Sequence, residues 1–529
     1  MDSEIKITIA HCQAAKQWDR IGIAHHHGIA LPLFSIHSAK SCGIGEYLDL
    51  LPLIDWCHEI GLDVIQLLPI NDTGLGTSPY DAVSAFALNP IHLSLNGLPH
   101  LDKYPDGDEK LKELSQPSSS THIHYESVRE KKYEFLKSYY AAIAPSILET
   151  VEYKNFIQAS PWIKKYALFK VLKEHYQWLS WEEWPEELRS PAPEQVDALI
   201  DQYRESIEWH CFIQFLCDKQ MQQVYQHANE KNVFLMGDIP ILINRDSADV
   251  WLNRDFFHMH YSAGAPPDVF SPEGQEWGFP IYNWESLAQT GYQWWIDRLK
   301  LAGRYYHIYR IDHIVGFFRI WAISLGDKGK QGFFLPSDPS TWIDHGCAIM
   351  KIMLDNCDML PIGEDLGDVR PSIKKELNRL GICGTKVVRW ERNWDVDKQF
   401  IPMDAYPVIS MTTVSTHDSE TLQLWWQNNV EEAQDFAQFK GWGYHHVLSR
   451  EHHEEMLWDT HHSNSLFTIN LLQEYLSLIP GLSWPKLEDE RINVPGTISD
   501  RNWSNRYKSS IEEITTNQTL THLLKEIII

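Results

Sequence analysis

Tyr305-Tyr306-His307-Ile308-Tyr309-Arg310-Ile311-Asp312 is a run of strand-forming residues that ends in a carboxylate. The same arrangement recurs twice. Glu364 follows Met359-Leu360-Pro361-Ile362-Gly363, and Asp418 closes the strand-prone residues 408–417. A β/α barrel delivers acidic side chains in this way, from the ends of several different strands onto one catalytic mouth. Two facing carboxyl groups are also what glycoside chemistry requires. The pattern points to an enzyme that acts on sugars.

Working outward, apolar runs alternate with helical stretches, as βα units should. Residues 29–35 read as the first strand and residues 45–60 as a helix with Leu48, Leu51, Ile54 and Cys57 on one face. Gly61 is placed to close that helix. Residues 64–69 are apolar almost throughout, like a parallel strand buried on both faces. Further strands are expected at 233–238, 385–390 and, as the last, 491–497.

The rhythm pauses between about 100 and 225, where the chain is charged and helix-prone and residues 117–121 form a loop tip, so an inserted helical subdomain is expected there. Residues 264–284, rich in Pro, Gly and aromatics, suit a substrate lid, and residues 325–339 a second one. The predicted architecture is α/β: residues 1–529 form a single catalytic (β/α)8 TIM barrel with mainly helical insertions. The residues after 497 are too few for a C-terminal β domain.

The bulk properties agree with a globular enzyme of neutral ligands. The chain has 529 residues, and 46 Lys and Arg against 72 Asp and Glu give a formal net charge of -26. No basic run offers a nucleic-acid footprint. No apolar stretch approaches a membrane span, and the first residues lack a signal-peptide pattern. Eight scattered cysteines without a Cys-x-x-Cys pair read as reduced thiols. A cytoplasmic location is expected. His25-His26-His27 points its side chains in divergent directions, and His453-Glu454 lacks a second histidine at Leu457, so no metal is expected. The doublets His445-His446, His452-His453 and His461-His462 read as solvated faces of helices.

Cleaving a glycosidic bond needs one carboxyl that holds a proton and another that is ionised. Arg310 and His313 flank Asp312 and favour its anion, which suits a nucleophile. Glu364 follows an apolar run and Gly363, an environment that keeps a carboxyl neutral, with an expected pKa of about 6–7 for a general acid/base. Asp418, beside His417, suits hydrogen bonding to sugar hydroxyls. A carboxylate after a strand is also what a helix N-cap looks like. Glu is the poorer cap, and Asp238 is the residue most open to that reading.

Several segments resemble the 4-α-glucanotransferases of glycoside hydrolase family 77. Arg310-Ile311-Asp312-His313 with Gly316-Phe317 is similar to their nucleophile segment, Gly363-Glu364-Asp365-Leu366-Gly367 to the acid/base segment, and Ser415-Thr416-His417-Asp418 to the third-carboxylate segment. Pro266-Pro267-Asp268 through Gln275-Glu276-Trp277-Gly278 resembles the substrate loop. Ser78-Pro79-Tyr80, Gly237-Asp238-Ile239-Pro240 and Asn493-Val494-Pro495-Gly496-Thr497 also match, in family order.

The resemblance implies Asp312 as nucleophile, Glu364 as acid/base and Asp418 as transition-state stabiliser. It implies Arg310, His313 and His417 around the reacting sugar, Tyr80 stacked on it, and Trp277 and Gln275 on the glucan. Asp238, Asp268 and Asn493 join as further binding residues. It also implies a retaining transfer between α-1,4-glucans (maltose, maltooligosaccharides, glycogen) with no cofactor. The rivals are a hydrolase of the α-amylase kind and a silent glucan-binding barrel. Ile314-Val315-Gly316-Phe317-Phe318-Arg319-Ile320-Trp321 departs from many bacterial members and resembles the plant cytosolic enzymes that move glucose from maltose to polysaccharide. Trp294 and Trp295 read as helix core, and only one of Trp425 and Trp426 is expected to face inward.

Overall fold

A computed structural model describes residues 3–116, 119–267, 271–367, 369–394 and 396–529. Its centre is a closed barrel of eight strands: β1 (His26–Leu31), β2 (Val64–Leu67), β3 (Phe234–Ile239), β4 (Ile308–Ile311), β5 (Leu360–Gly363), β6 (Cys383–Val387), β7 (Ser410–Thr413) and β8 (Phe467–Leu471). Each pairs in parallel with its chain neighbours, and β8 returns to β1. The order around the barrel is the order along the chain, the topology of a (β/α)8 barrel.

Seven of the eight expected strands coincide with barrel strands, most of them shorter than expected. The first ends at Leu31 because Pro32 has no N–H for the ladder, and Leu33–Ser35 turns as a 3-10 helix. The expected strand at 491–497 is a correction: that segment is a loop, and the eighth strand is Phe467–Leu471. Thr468 and Asn470 interrupt the apolar run there, yet both are buried. The Asn470 amide donates to Thr460 Oγ1 and Tyr475 Oη and accepts from Val414 N, so its burial is satisfied.

Helix Leu50–Ile60 ends at Gly61, whose φ of 90° is the left-handed cap expected of it. Between β2 and β3 run several helices, the longest being Tyr125–Leu148 and Arg204–Glu230. The latter packs on Leu50–Ile60 and leads directly into β3. Two buried ion pairs join these helices to the barrel loops, Lys132 to Glu46 at 2.6 Å and Lys170 to Asp72 at 2.7 Å. The last helices, Ile511–Thr515 and Gln518–Ile528, also pack against Leu50–Ile60.

The two stretches read as lids meet in one antiparallel sheet, in the order Phe333–Leu335, Ile320–Ser324, Tyr261–Ala265, Gln275–Glu276. Two further expectations are corrected. Trp425 and Trp426 are both about 1% exposed, because one donates to Glu432 and the other to the His445 carbonyl while their rings enter the core. His453 and His461 are buried instead of solvated. All eight cysteines are free thiols. Among the described residues no helix is long and apolar enough to cross a membrane.

Candidate active site

Asp238 lies in β3 and Arg310 in β4, paired in register across the two strands. Parallel neighbours in register project side chains of the same row to the same side, so the guanidinium meets the carboxylate inside the mouth. Arg310 Nη1 donates to both oxygens of Asp238 at 2.9 and 2.8 Å and to Asp312 Oδ1 at 3.1 Å. Its Nη2 lies 3.5 Å from Glu364 Oε2. One buried cation therefore serves three carboxyl groups.

Asp312 follows the last residue of β4, and the chain then turns sharply at His313, which has a φ of 48°. A positive φ is uncommon outside glycine. Here it aims the His313 N–H at Glu364 Oε2, 2.7 Å away. Gly363 precedes Glu364 because a Cβ there would lie 2.7 Å from Ile314 Cδ1. The turn after β4 thus packs directly on the end of β5. Burial pushes Glu364 up to about 8; Arg310 opposes the shift and the Asp312 charge adds to it. The proton is held even more firmly than the expected 6–7, although about a fifth of the side chain remains exposed.

The other wall comes from the loops after β2, β7 and β8. Tyr80 donates its hydroxyl proton to Asp238 Oδ2 at 2.7 Å and lies 3.0 Å from His417 Nε2, with the two rings stacked at 5.3 Å. His417 Nε2 is 3.3 Å from Asp418 Oδ2, and Asn493 Nδ2 donates to Asp418 Oδ1 at 2.7 Å. Burial works against the Asp418 anion, but the His417 imidazole and the Asn493 amide outweigh it and hold that carboxyl well below its usual range. His417 is raised in return, the Asp418 charge overcoming the cost of burying the cation. His313, by contrast, is pushed down to about 4 by burial, which Asp312 only partly offsets. The two imidazoles of the mouth are thus shifted in opposite directions, His313 down and His417 up.

None of these carboxylates is a helix N-cap. The helices that follow them are capped at His313, Thr421, Arg370 and Ser247. Trp277 meets the His313 ring edge-to-face at 5.0 Å, and its indole donates to Gln275 Oε1 at 3.0 Å. Asp268 lies outside the described residues. One residue that the sequence reading missed is Trp503, whose ring lies 5.5 Å from Tyr80 and 5.7 Å from His417.

With this geometry in place, likeness to known proteins becomes informative. The sequence model of the 4-alpha-glucanotransferase family matches residues 31–512. The chain belongs to that family. A 4-alpha-glucanotransferase of Chlamydia pneumoniae is 44% identical over 520 residues, 98% of each chain. The amylomaltase of Streptococcus agalactiae, solved in complex with acarbose, superposes with a TM-score of 0.82 at 25% identity, covering 95% of this chain and 98% of that one. A rice 4-alpha-glucanotransferase is 35% identical over 321 residues, 59% of this chain but 34% of its own length. The chain is thus a glucan-transferring enzyme acting on α-1,4-glucans, and neither the hydrolase nor the silent barrel describes it. In this glucanotransferase the family segments converge on the Arg310 cluster from six different parts of the barrel.

Proposed function

We propose that this glucanotransferase works by a retaining double displacement in which Asp312 is the nucleophile and Glu364 the acid/base. Glu364 passes its proton to the glycosidic oxygen while an Asp312 oxygen attacks the anomeric carbon, and the leaving glucan departs as an alcohol. The 4-hydroxyl of a second glucan then attacks that carbon. It gives its proton to the Glu364 carboxylate and releases Asp312. Asp418, kept anionic by His417 and Asn493, steadies the sugar hydroxyls and the cationic transition state. Tyr80 and Trp277 offer aromatic faces to the sugars. Arg310, His313, His417, Asp238, Gln275 and Asn493 complete the binding shell.

One observation carries the assignment. Arg310 donates hydrogen bonds to Asp238 and Asp312 but stands 3.5 Å from Glu364, which burial and the Asp312 charge push up to about 8 against the pull of Arg310. Donors and acceptors are maltose, maltooligosaccharides and a glycogen-like polysaccharide, and the enzyme works in the cytoplasm. The lid sheet beside His313 keeps water from the intermediate, which favours transfer over hydrolysis.

Donors with different leaving groups test the roles. Glu364→Gln should lose turnover of maltotriose but keep fast release of fluoride from α-maltosyl fluoride, which needs no proton. Asp312→Asn should lose both. Fluoride release that survives in Asp312→Asn and is lost in Glu364→Gln would reverse the assignment. The wild type should convert maltotriose into a ladder of longer and shorter glucans.

A further inference from the structure

Asp418 stands five residues beyond the end of β7, on a loop with no regular structure of its own to fix it. Its one direct amide partner, Asn493, lies on the irregular loop after β8. Two loops must therefore be held in register for a single hydrogen bond to form. Arg491 is the residue that spans them. Its Nε donates to the Asn493 carbonyl at 3.0 Å, and its Nη1 lies 3.6 Å from Glu420 Oε1, two residues beyond Asp418.

Glu420 is in turn anchored on all sides. Arg389, in the 3-10 turn that follows β6, donates to its backbone carbonyl at 3.0 Å and places Nη1 3.8 Å from Oε2. Asn428 and Asn429 donate to the two carboxylate oxygens at 3.2 and 2.9 Å. Arg389 is itself only about 5% exposed and lies against the Trp425 ring. The chain of contacts therefore runs from β6 through Arg389 and Glu420 to Arg491, then Asn493, and ends on Asp418 Oδ1. Neither Arg491 nor Glu420 is among the residues gathered around Arg310.

We propose that Arg491 and Glu420 are positioning residues for the transfer reaction: together they lock the β8 loop to the β7 loop so that Asn493 holds Asp418 in its reactive orientation. This rests on the role given to Asp418 above. A carboxylate that stabilises developing charge is effective only when held in place beforehand, and a displacement of about 1 Å can cost on the order of 100-fold. The pair should thus act more on the transition state than on ground-state binding.

The test is a double-mutant cycle on the full-length enzyme with maltotriose as donor. Arg491→Met should lower kcat by about 10- to 100-fold with the donor KM within about twofold. Arg491→Lys keeps the charge but lacks the second arm, so it should recover only part of that loss. In an Asn493→Ala background, Arg491→Met should cost less than about twofold, because the residue through which it acts is already gone. Glu420→Gln, which keeps shape and loses charge, should show the same masking and serves as the reporter if Arg491→Met does not fold. An equal loss in both backgrounds, or a kcat that Arg491→Met and Glu420→Gln leave unchanged, would overturn the proposal. Asp418→Asn retaining full activity would instead reject the role assigned to Asp418 itself.

Discussion

At the mouth of the barrel, Asp238, Asp312 and Glu364 crowd around Arg310, while at the floor His26, His27 and His461 meet where β1 begins. Both ends bury ionisable groups, but they treat them in opposite ways. The mouth sets three carboxyl groups around one guanidinium, and burial, with the Asp312 charge adding to it, pushes Glu364 up to about 8. The floor leaves each group a hydrogen-bond partner. His26 Nδ1 meets Asp63 at 2.7 Å, His27 Nδ1 meets His461 Nδ1 at 2.8 Å, and His461 Nε2 meets the Tyr475 hydroxyl at 2.6 Å. An imbalance that would be a defect at the floor is the working part of the mouth.

The largest break in that contrast should come from Arg310→Met. It strands Asp238, which is only 3% exposed, without a counter-charge. Removing one partner of a buried pair typically costs about 3–5 kcal/mol. The loss of charge organisation around the reacting sugar should lower kcat on the order of 1000-fold or more. Urea unfolding and initial rates measure the two effects separately. Adding Asp238→Asn should restore much of the stability and none of the activity. A double variant no more stable than Arg310→Met would show that the guanidinium is not there chiefly to neutralise Asp238.

A smaller and more specific effect concerns Glu364. A general acid must be protonated, so kcat/KM for maltotriose should fall about tenfold per pH unit above a pKa near 8. A profile flat from pH 7 to 9.5 would contradict the proton assignment. The same shift has a stability consequence. Glu364 binds its proton more tightly in the folded than in the unfolded chain. Its contribution to stability is therefore fully present below about 4.5 and is lost as the pH rises through about 8. Glu364→Gln cannot ionise, so its Tm should match the wild type at low pH and exceed it at pH 8, a trade of stability for function.

Much of the mouth could be read from the sequence, and far less of the floor. Asp312 and Glu364 sit directly after continuous apolar strands, where position alone makes a carboxylate conspicuous. β8 escaped notice because Thr468 and Asn470 break the apolar run, and their partners Thr460 and Tyr475 belong to flanking helices that a strand-by-strand reading does not consult. Trp503 reaches Tyr80 across more than four hundred residues, with no local pattern to announce it. The two stretches read as lids looked separate because the strands that join them, Tyr261–Ala265 and Ile320–Ser324, pair only through a non-local antiparallel ladder. His453 and His461 looked solvated because charged neighbours on the same helix dominate its composition, whereas burial follows the face turned to the barrel.

The smallest effect tests the floor. Burial pushes His27 down to about 4, and His25, His26 and His462 act in the same direction while Asp63 opposes them. Burial, with His27 and His462 acting in the same direction, also holds His461 well below the usual histidine range. The unfolded chain binds these protons more readily, so the stability they contribute is lost as the pH falls from about 6.5 towards 4. His26 has the opposite sign: burial disfavours its charge, but Asp63 raises it overall, and that contribution fades as the pH rises. His27→Asn keeps a polar group near the Nδ1 position and cannot be charged. Its stability, followed as Tm, should fall less between pH 7 and pH 5 than that of the wild type, the difference corresponding to a free energy on the order of 1 kcal/mol for one titrating group. Its kcat at pH 7 should stay within about twofold, because the floor lies at the end of the barrel away from Arg310. Parallel Tm curves for the two proteins would mean that the Asp63 charge, and not burial, governs His27, and the two ends of the barrel would then follow the same rule.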